Sequence, residues 1–545
     1  MHDRTLPRSA FERHLYGAAG LTLLVLVYLL PGAIGHDPWR GDDIEHFAVT
    51  HALLRGEWWL VPTLAGEPVG AFGPFHYWLS ALFATLLGWL LPVHDAARLA
   101  TPFAAAFATL WITRCAARLY GRHTRAAAAL LTIGTLGLAV HVHENQPMIT
   151  LMALQAMTLA GLARIPAQPL KGSVQAGLGV ALAFLTAGPT GVLLTLPLLA
   201  LAAVAVPEIR TPRASGALIL GLSIAVGGSV LWPALISMSQ PELLDLWWSR
   251  TWGAFASAPM SRAELPRLFE TLGWFLWPLW PIALWALWRA RRHIGRLPWL
   301  LPLAALGMAL IWIHANGSFS AAMMLPAVPA LALLAAGGVP TLRRGAANAF
   351  DWFAVMTFGL FALLIWLGWS AQVAAWPTGL ARSLERMAPE FVLQGSGGQA
   401  VLGGTIMLLW VALVWRLPRG ADRAPTNWAL GMTMLWCLTV TLLLPWVDHT
   451  RNYRPMAESL GLALAQEQPS CVAAAHLDLS HRAALDYYLG LRPELVRSPD
   501  TRCQYLLVQD DDERLARQPE GWLPAWRYRH AGGKRLEIFT LYRRD

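Results

Sequence analysis

Charge is scarce in this chain. Of its 545 residues only 14% are Asp, Glu, Lys or Arg, against about 25% in an ordinary soluble domain. With 56% of residues hydrophobic and a mean hydropathy of +0.44, too little polar surface remains to clothe a water-soluble globule, which excludes a soluble enzyme. Cysteine is scarcer still: four in the whole chain exclude a disulfide-dense scaffold. The apolar content excludes a disordered chain, and no internal repeat or low-complexity linker stands out. What is present is a net charge of +9 and a pI near 9.8, which on a soluble chain would suggest a nucleic-acid partner. Here the arginines fall between apolar runs, a pattern of membrane topology, so no nucleic acid is expected.

A bilayer core of about 30 Å takes about 20 apolar residues per helix. Thirteen stretches are read as spans, at 17–34, 99–117, 126–141, 147–163, 174–187, 190–206, 216–237, 268–288, 298–314, 319–337, 352–371, 400–415 and 427–446. The first follows Arg4, Arg8 and Arg13 without a small-residue cleavage site, so it reads as an uncleaved span with a cytoplasmic N-terminus. Alternate loops carry Arg118, Arg122 and Arg125; Arg164 and Lys171; Arg210 and Arg213; Arg289, Arg291, Arg292 and Arg296; Arg343 and Arg344; Arg416, Arg419 and Arg423. Short loops rich in Lys and Arg stay cytoplasmic, which requires an odd number of spans and puts everything after Trp446 on the far side. Counting 76–92 as a further span would invert every later loop. It is expected instead to lie at the interface, with Tyr77 and Trp78 at headgroup level, leaving 35–98 as one extracytoplasmic segment.

The expected architecture is therefore an all-α polytopic membrane domain, 1–446, and a small extracytoplasmic α/β domain, 447–545. In the latter CVAAAHLDL, CQYLLVQ and RLEIFTLYR read as strands and 480–489 as a helix. Cys471 and Cys503 open two neighbouring strands in a compartment where disulfides persist; a bridge there would contribute about 3 kcal/mol through loop closure. Cys115 and Cys437 lie in spans as apolar packing.

The first extracytoplasmic segment gathers Asp42, Asp43, Glu45, His46 and Glu57 between aromatic clusters. Such carboxylates are either hydrated loop charges or a base or metal ligand. Asp42 and Asp43 open an amphipathic helix, with Ile44, Phe47, Ala48, His51 and Leu54 at helical spacing. The helix dipole favours acidic groups in a first turn, yet capping accounts for only one of the pair. His141, His143 and Glu144 invite a metal reading, but histidines at i and i+2 point to different faces of a helix, which favours capping. Trp39, Trp58, Trp59, Trp78, Trp247, Trp248 and Trp252 suit a membrane interface and equally a sugar or an isoprenoid tail.

The run from Asp42 through L-L-R-G-E-W-W-L-V-P-T-L-A-G-E-P, then G-P-F-H-Y-W-L, then A-R-L-A-T-P at 97–102, resembles the start of the protein O-mannosyltransferase superfamily, near its bacterial aminoarabinose (lipid A) transferase branch. Ala187-Gly188-Pro189-Thr190-Gly191, the 278–288 turn and the 318–336 helix are similar to later family segments, so the resemblance covers about 450 residues. It implies a GT-C fold of thirteen spans with interfacial helices in the first loop. It also implies an inverting glycosyltransferase in the bacterial inner membrane, facing the periplasm. Such an enzyme moves a sugar from a polyprenyl phosphate, here undecaprenyl phosphate, to lipid A, lipopolysaccharide or another envelope glycan. The family's catalytic aspartate falls on Asp42, with Asp43 as its acidic neighbour. Arg98 matches the family's R-L-P arginine and, with Arg250 in LWWSRTWGAF, is expected to meet the donor phosphate; Arg250 read without the family is an interfacial arginine flanked by tryptophan. His76, Tyr77, Glu144 and Asn145 complete the expected substrate contacts. No cofactor is required, a divalent ion is compatible with the acidic groups, and a monomer is expected.

Departures stand beside the matches. Phe72-Gly73-Pro74-Phe75 replaces the family's K-P-P-L, Ala71 replaces an acidic residue that helps hold a metal, Asn145 stands for a second aspartate, and Ala187 for the lysine of T-K-G-P. Donor and acceptor need not be aminoarabinose and lipid A, and a non-catalytic relative stays open. The rival class is a transporter or flippase of lipid-linked sugar. Transporters place ionisable residues near the bilayer midplane, whereas these carboxylates gather at one membrane face.

Overall fold

A computed structural model describes residues 14–545 except 71, 206, 256–260, 262, 317–319, 390, 394–395, 499, 511–517 and 532–535. Arg4, Arg8, Arg13 and Ala71 therefore lie outside the described residues. Among those described, eight helices are long and apolar enough to cross a membrane: Val93–Leu119, Pro169–Val204, Pro212–Ser239, Leu297–Ala315, Ala321–Thr341, Arg344–Ala374, Gly397–Arg416 and Arg423–Arg451. Shorter apolar helices cover Ala18–Leu29, Phe75–Leu87 and Pro147–Leu162. Proline opens several of them, where its missing N–H costs nothing; at Pro212 the preceding Thr211 hydroxyl also caps the Ala214 N–H.

The break expected between the 174–187 and 190–206 spans is present: the Pro169–Ala205 helix is two helices meeting at Ala187 and Gly188, the latter at φ 53°, a conformation that suits glycine. Two other expected spans are broken as well. Residues 126–141 form Arg125–Ile133 and a separate turn, Leu138–His141. Residues 268–288 form Leu265–Phe275 and Leu279–Ala290. The two gaps face each other. Leu136 N–H donates to the Trp277 carbonyl at 3.0 Å and Gly137 N–H to that of Phe275 at 2.9 Å, so groups freed by one break satisfy the other, as an apolar surrounding demands.

The Phe75–Leu87 helix, 13 residues and so about 20 Å long, is too short to span. Tyr77 departs from the expected headgroup position: it is 1% exposed, with its hydroxyl 2.9 Å from His46 Nδ1, because its ring faces the protein and not the lipid.

Two short strands of the first loop, β1 Thr63–Leu64 and β2 Glu67–Pro68, pair antiparallel, and the tail opens with a helix, Arg454–Glu467, followed by a five-stranded sheet. The strands are β3 Val472–Ala475, β4 Glu494–Leu495, β5 Tyr505–Asp510, β6 Trp522–Ala531 and β7 Leu536–Arg544. β3 pairs in parallel with β4 and β5, and β7 antiparallel with β5 and β6. The register Val472↔Tyr505 brings Cys471 and Cys503 into a disulfide. The Arg423–Arg451 helix runs through the expected 446/447 boundary without a break. One apolar cluster then joins Ile44, Phe47 and Ala48 to Tyr453, Met456, Ala483, Ala484 and Phe539 of the tail. The Asp42 helix is thus wedged between bundle and tail.

Candidate active site

The segment before Asp42 is clamped to the end of the last membrane helix. Arg454 grips Asp37 through Nε (2.7 Å) and Nη2 (2.5 Å). Asp448 Oδ1 accepts from the Asp37 N–H at 3.1 Å and from Trp39 Nε1 at 3.0 Å. Gly41, at φ 91°, makes the turn that starts the Asp42–Leu54 helix, and its N–H donates to Ser480 Oγ of the tail at 3.1 Å.

Asp42 and Asp43 then point opposite ways. Asp43 is wholly buried beside Arg98, also wholly buried, with Nη2 3.2 Å from Oδ2. Its Oδ1 accepts from the Asn145 N–H (2.7 Å) and Nδ2 (2.9 Å), and Oδ2 from the Trp39 N–H (3.0 Å). Burial by itself would raise the Asp43 pKa; the Arg98 charge, with these hydrogen bonds, overrides it and holds the carboxyl below its ordinary value. Arg98 is completed by Asp95 Oδ1 at 2.7 Å and the carbonyls of Ala33 and His36. Asp43, Arg98 and Asn145 thus form an internal bracket in which the Arg98 guanidinium is taken up by protein oxygens.

Asp42 is half-buried. Its Oδ2 accepts from Gln146 Nε2 at 2.7 Å, and Oδ1 takes no hydrogen bond from a described residue. The Gln146 amide is oriented by its own Oε1, which accepts from the Met148 N–H at 3.1 Å. Asp42, Glu45, His46 and Val49, one face of the helix by their spacing, line a cavity of about 310 Å³. Phe72, Ala187, Thr190, Trp312, Met323 and Leu479 continue its wall, a mostly apolar hollow with few polar groups, as in ordinary ligand sites. Burial raises the Glu45 pKa, with the Asp42 charge adding to the effect and the hydrogen bond from Ser480 Oγ, at 2.5 Å, opposing it. Burial also lowers that of His46 against the pull of Asp42 and Asp43, which leaves the ring a neutral hydrogen-bonding group.

No lysine or arginine lines this cavity among the described residues. At its edge Glu67 is shared by Arg250 (3.4 Å) and Arg482 (3.3 Å), and Arg250 also donates to the Pro68 carbonyl. Arg250 therefore stands beside the site while its neighbour Thr251 lines it. His76 is buried against Thr150 Oγ1 at 2.8 Å and touches the site only through its neighbours. Glu144 pairs with His141 at 3.3 Å, while His143 faces the carbonyls of Ala139 and Tyr28, so these three do not converge on a metal. Sequence reading did not single out Gln146 and Arg482, and took Glu45 and His46 only with the segment's other polar groups, whose carboxylates were either hydrated charges or a base or metal ligand. The polar spacing 42, 45, 46, opposite the apolar stripe, was the available signal.

The polytopic helical bundle, the first loop folded into a helix that carries a cavity aspartate, and the small α/β tail agree with the GT-C fold that the resemblance implied. The solved structure of ArnT from Cupriavidus metallidurans bound to undecaprenyl phosphate matches with a TM-score of 0.69 at 18% identity, over 98% of both chains. The apo state of that protein matches at 0.68 and 17%, over 96% of this chain and 97% of that one. No protein-family profile and no curated protein matches the sequence. At such identity the likeness is one of fold.

Proposed function

We propose that this chain transfers a sugar from a polyprenyl phosphate, of the kind seen bound to ArnT, to an acceptor hydroxyl on the extracytoplasmic side of the bacterial inner membrane. The observation that carries the reading is Asp42, held by Gln146 through one oxygen while it lines a largely apolar cavity. The acceptor hydroxyl donates to Asp42 Oδ1 while its oxygen attacks the anomeric carbon from the face opposite the phosphate. The new C–O bond forms, the bond to phosphate oxygen breaks with its electron pair, and the acceptor proton passes to Asp42. The departing phosphate needs cations; Arg250 and Arg482, which share the Glu67 carboxylate, are assigned that part. The carboxylates of the cavity gather beside the loop segments of one membrane face, which supports surface transfer over translocation.

Mass spectrometry of envelope lipids and glycans tests this in cells carrying the wild-type gene, no gene, or Asp42→Asn. A sugar-modified species should appear with the wild type alone. The same species at wild-type abundance in Asp42→Asn cells would overturn the reading.

A further inference from the structure

The arginines at the other end of the bundle have no described role. The Leu297–Ala315 helix places Trp312 at the Asp42 cavity and begins next to Arg296, about 24 Å away along its axis. Near that end lie Arg289, Arg291 and Arg292, where the Leu279–Ala290 helix gives way to a loop, and Arg343 and Arg344, where a second loop enters the Arg344–Ala374 helix. All are exposed, and none is ion-paired to a carboxylate of the described residues. Arg343 stacks over Trp285 at 5.7 Å, and Trp285 Nε1 reaches the Thr341 hydroxyl at 3.2 Å, so the two loops form one basic patch.

From this patch a groove of about 370 Å³ runs between the Leu279–Ala290 and Arg344–Ala374 helices, lined by Trp277, Pro281, Trp285, Leu342, Ala346 and Phe353. Trp277 and Phe353, with ring centres 5.6 Å apart, close its inner end. From Ala346 to Phe353 it extends about 10 Å along the helix. Snorkelling and loop-charge rules explain arginines at a membrane surface, but not an aromatic slot opening directly beneath them.

We propose that this groove holds an acyl chain of an anionic glycerophospholipid from the surrounding bilayer, with its phosphate on Arg343 and Arg344. The slot is apolar, its mouth is uncompensated positive charge, and basic recesses between membrane helices select anionic headgroups. A zwitterionic lipid fills the slot equally well but brings its own cation to the arginines.

Native mass spectrometry of the full chain in detergent tests this with three probes: phosphatidylglycerol, phosphatidylcholine of the same chains, and undecaprenyl phosphate. The wild type should retain one phosphatidylglycerol at concentrations where phosphatidylcholine is lost. The double variant Arg343→Gln, Arg344→Gln should bind it about 30-fold more weakly, a factor of about five per arginine. Ala346→Trp, which fills the slot and leaves the charges, should also lose it, and this exposed substitution decides the matter if the double variant does not fold. Equal retention by the wild type and Ala346→Trp, phosphatidylcholine held as tightly as phosphatidylglycerol, or displacement by equimolar undecaprenyl phosphate would each overturn the proposal.

Discussion

Two adjacent aspartates have been given different work by their surroundings. Asp43 is bound on every side by Arg98, Asn145 and Trp39, whereas Asp42 has one ligand and a cavity. Asp43→Asn should therefore act on stability: leaving Arg98 buried with a single carboxylate costs on the order of 3–5 kcal/mol, read as a lower melting temperature in detergent. Asp42→Asn should leave melting nearly unchanged and lower sugar transfer by at least about 100-fold. Because the Asp43 pKa is depressed in the folded state, its contribution is present above the ordinary carboxylate range and lost as pH falls through the folded value. Acid should thus loosen the bracket, a loss seen as falling melting temperature in the wild type and absent in Asp43→Asn.

At the scale of elements, the tail is a structural part of the site. Ser480 joins Gly41 and Glu45, and Leu479 lines the cavity. The next residue, His481, lies 3.0 Å from Asp478 Oδ1 and 3.8 Å from Glu537 Oε2. Burial alone would lower its pKa; the two carboxylates reverse this and raise it to about 9. A raised histidine stabilises below its ordinary value of 6.5 and loses that contribution as pH climbs through about 9. Melting should fall over that interval in the wild type and stay flat in His481→Gln, by at most about 3 kcal/mol.

The same scale shows what could be read from sequence. Strands β3, β5 and β7 were legible as short alternating runs. β6 was not, its pattern interrupted by Pro524 beside the bulge at Pro524/Trp526. Broken spans were read as continuous because hydropathy does not register that Trp428 takes the Gly134 carbonyl. Asp42 could be singled out in the sequence because its motif is local, whereas the pairing of Arg98 with Asp43, 55 residues away, and the approach of Gln146 and Arg482 come only through tertiary folding.

For the whole molecule, apolar spacing together with loop arginines was enough to anticipate a helical membrane bundle with an α/β tail, the fold now seen. The expected sidedness leads to a labelling prediction. Single cysteines introduced at exposed positions in 35–98 and 447–545 should react with a membrane-impermeant thiol reagent added from the periplasmic side. Reaction of tail positions only from the cytoplasm would shift the span count by one.

The most direct measurement follows undecaprenyl phosphate itself, since its release does not depend on knowing the sugar. Proteoliposomes holding the purified chain, a sugar-loaded undecaprenyl phosphate pool and an envelope-lipid acceptor extract should liberate free undecaprenyl phosphate with the wild type and only background with Asp42→Asn. Equal release by both would contradict a role for Asp42 in breaking the sugar–phosphate bond.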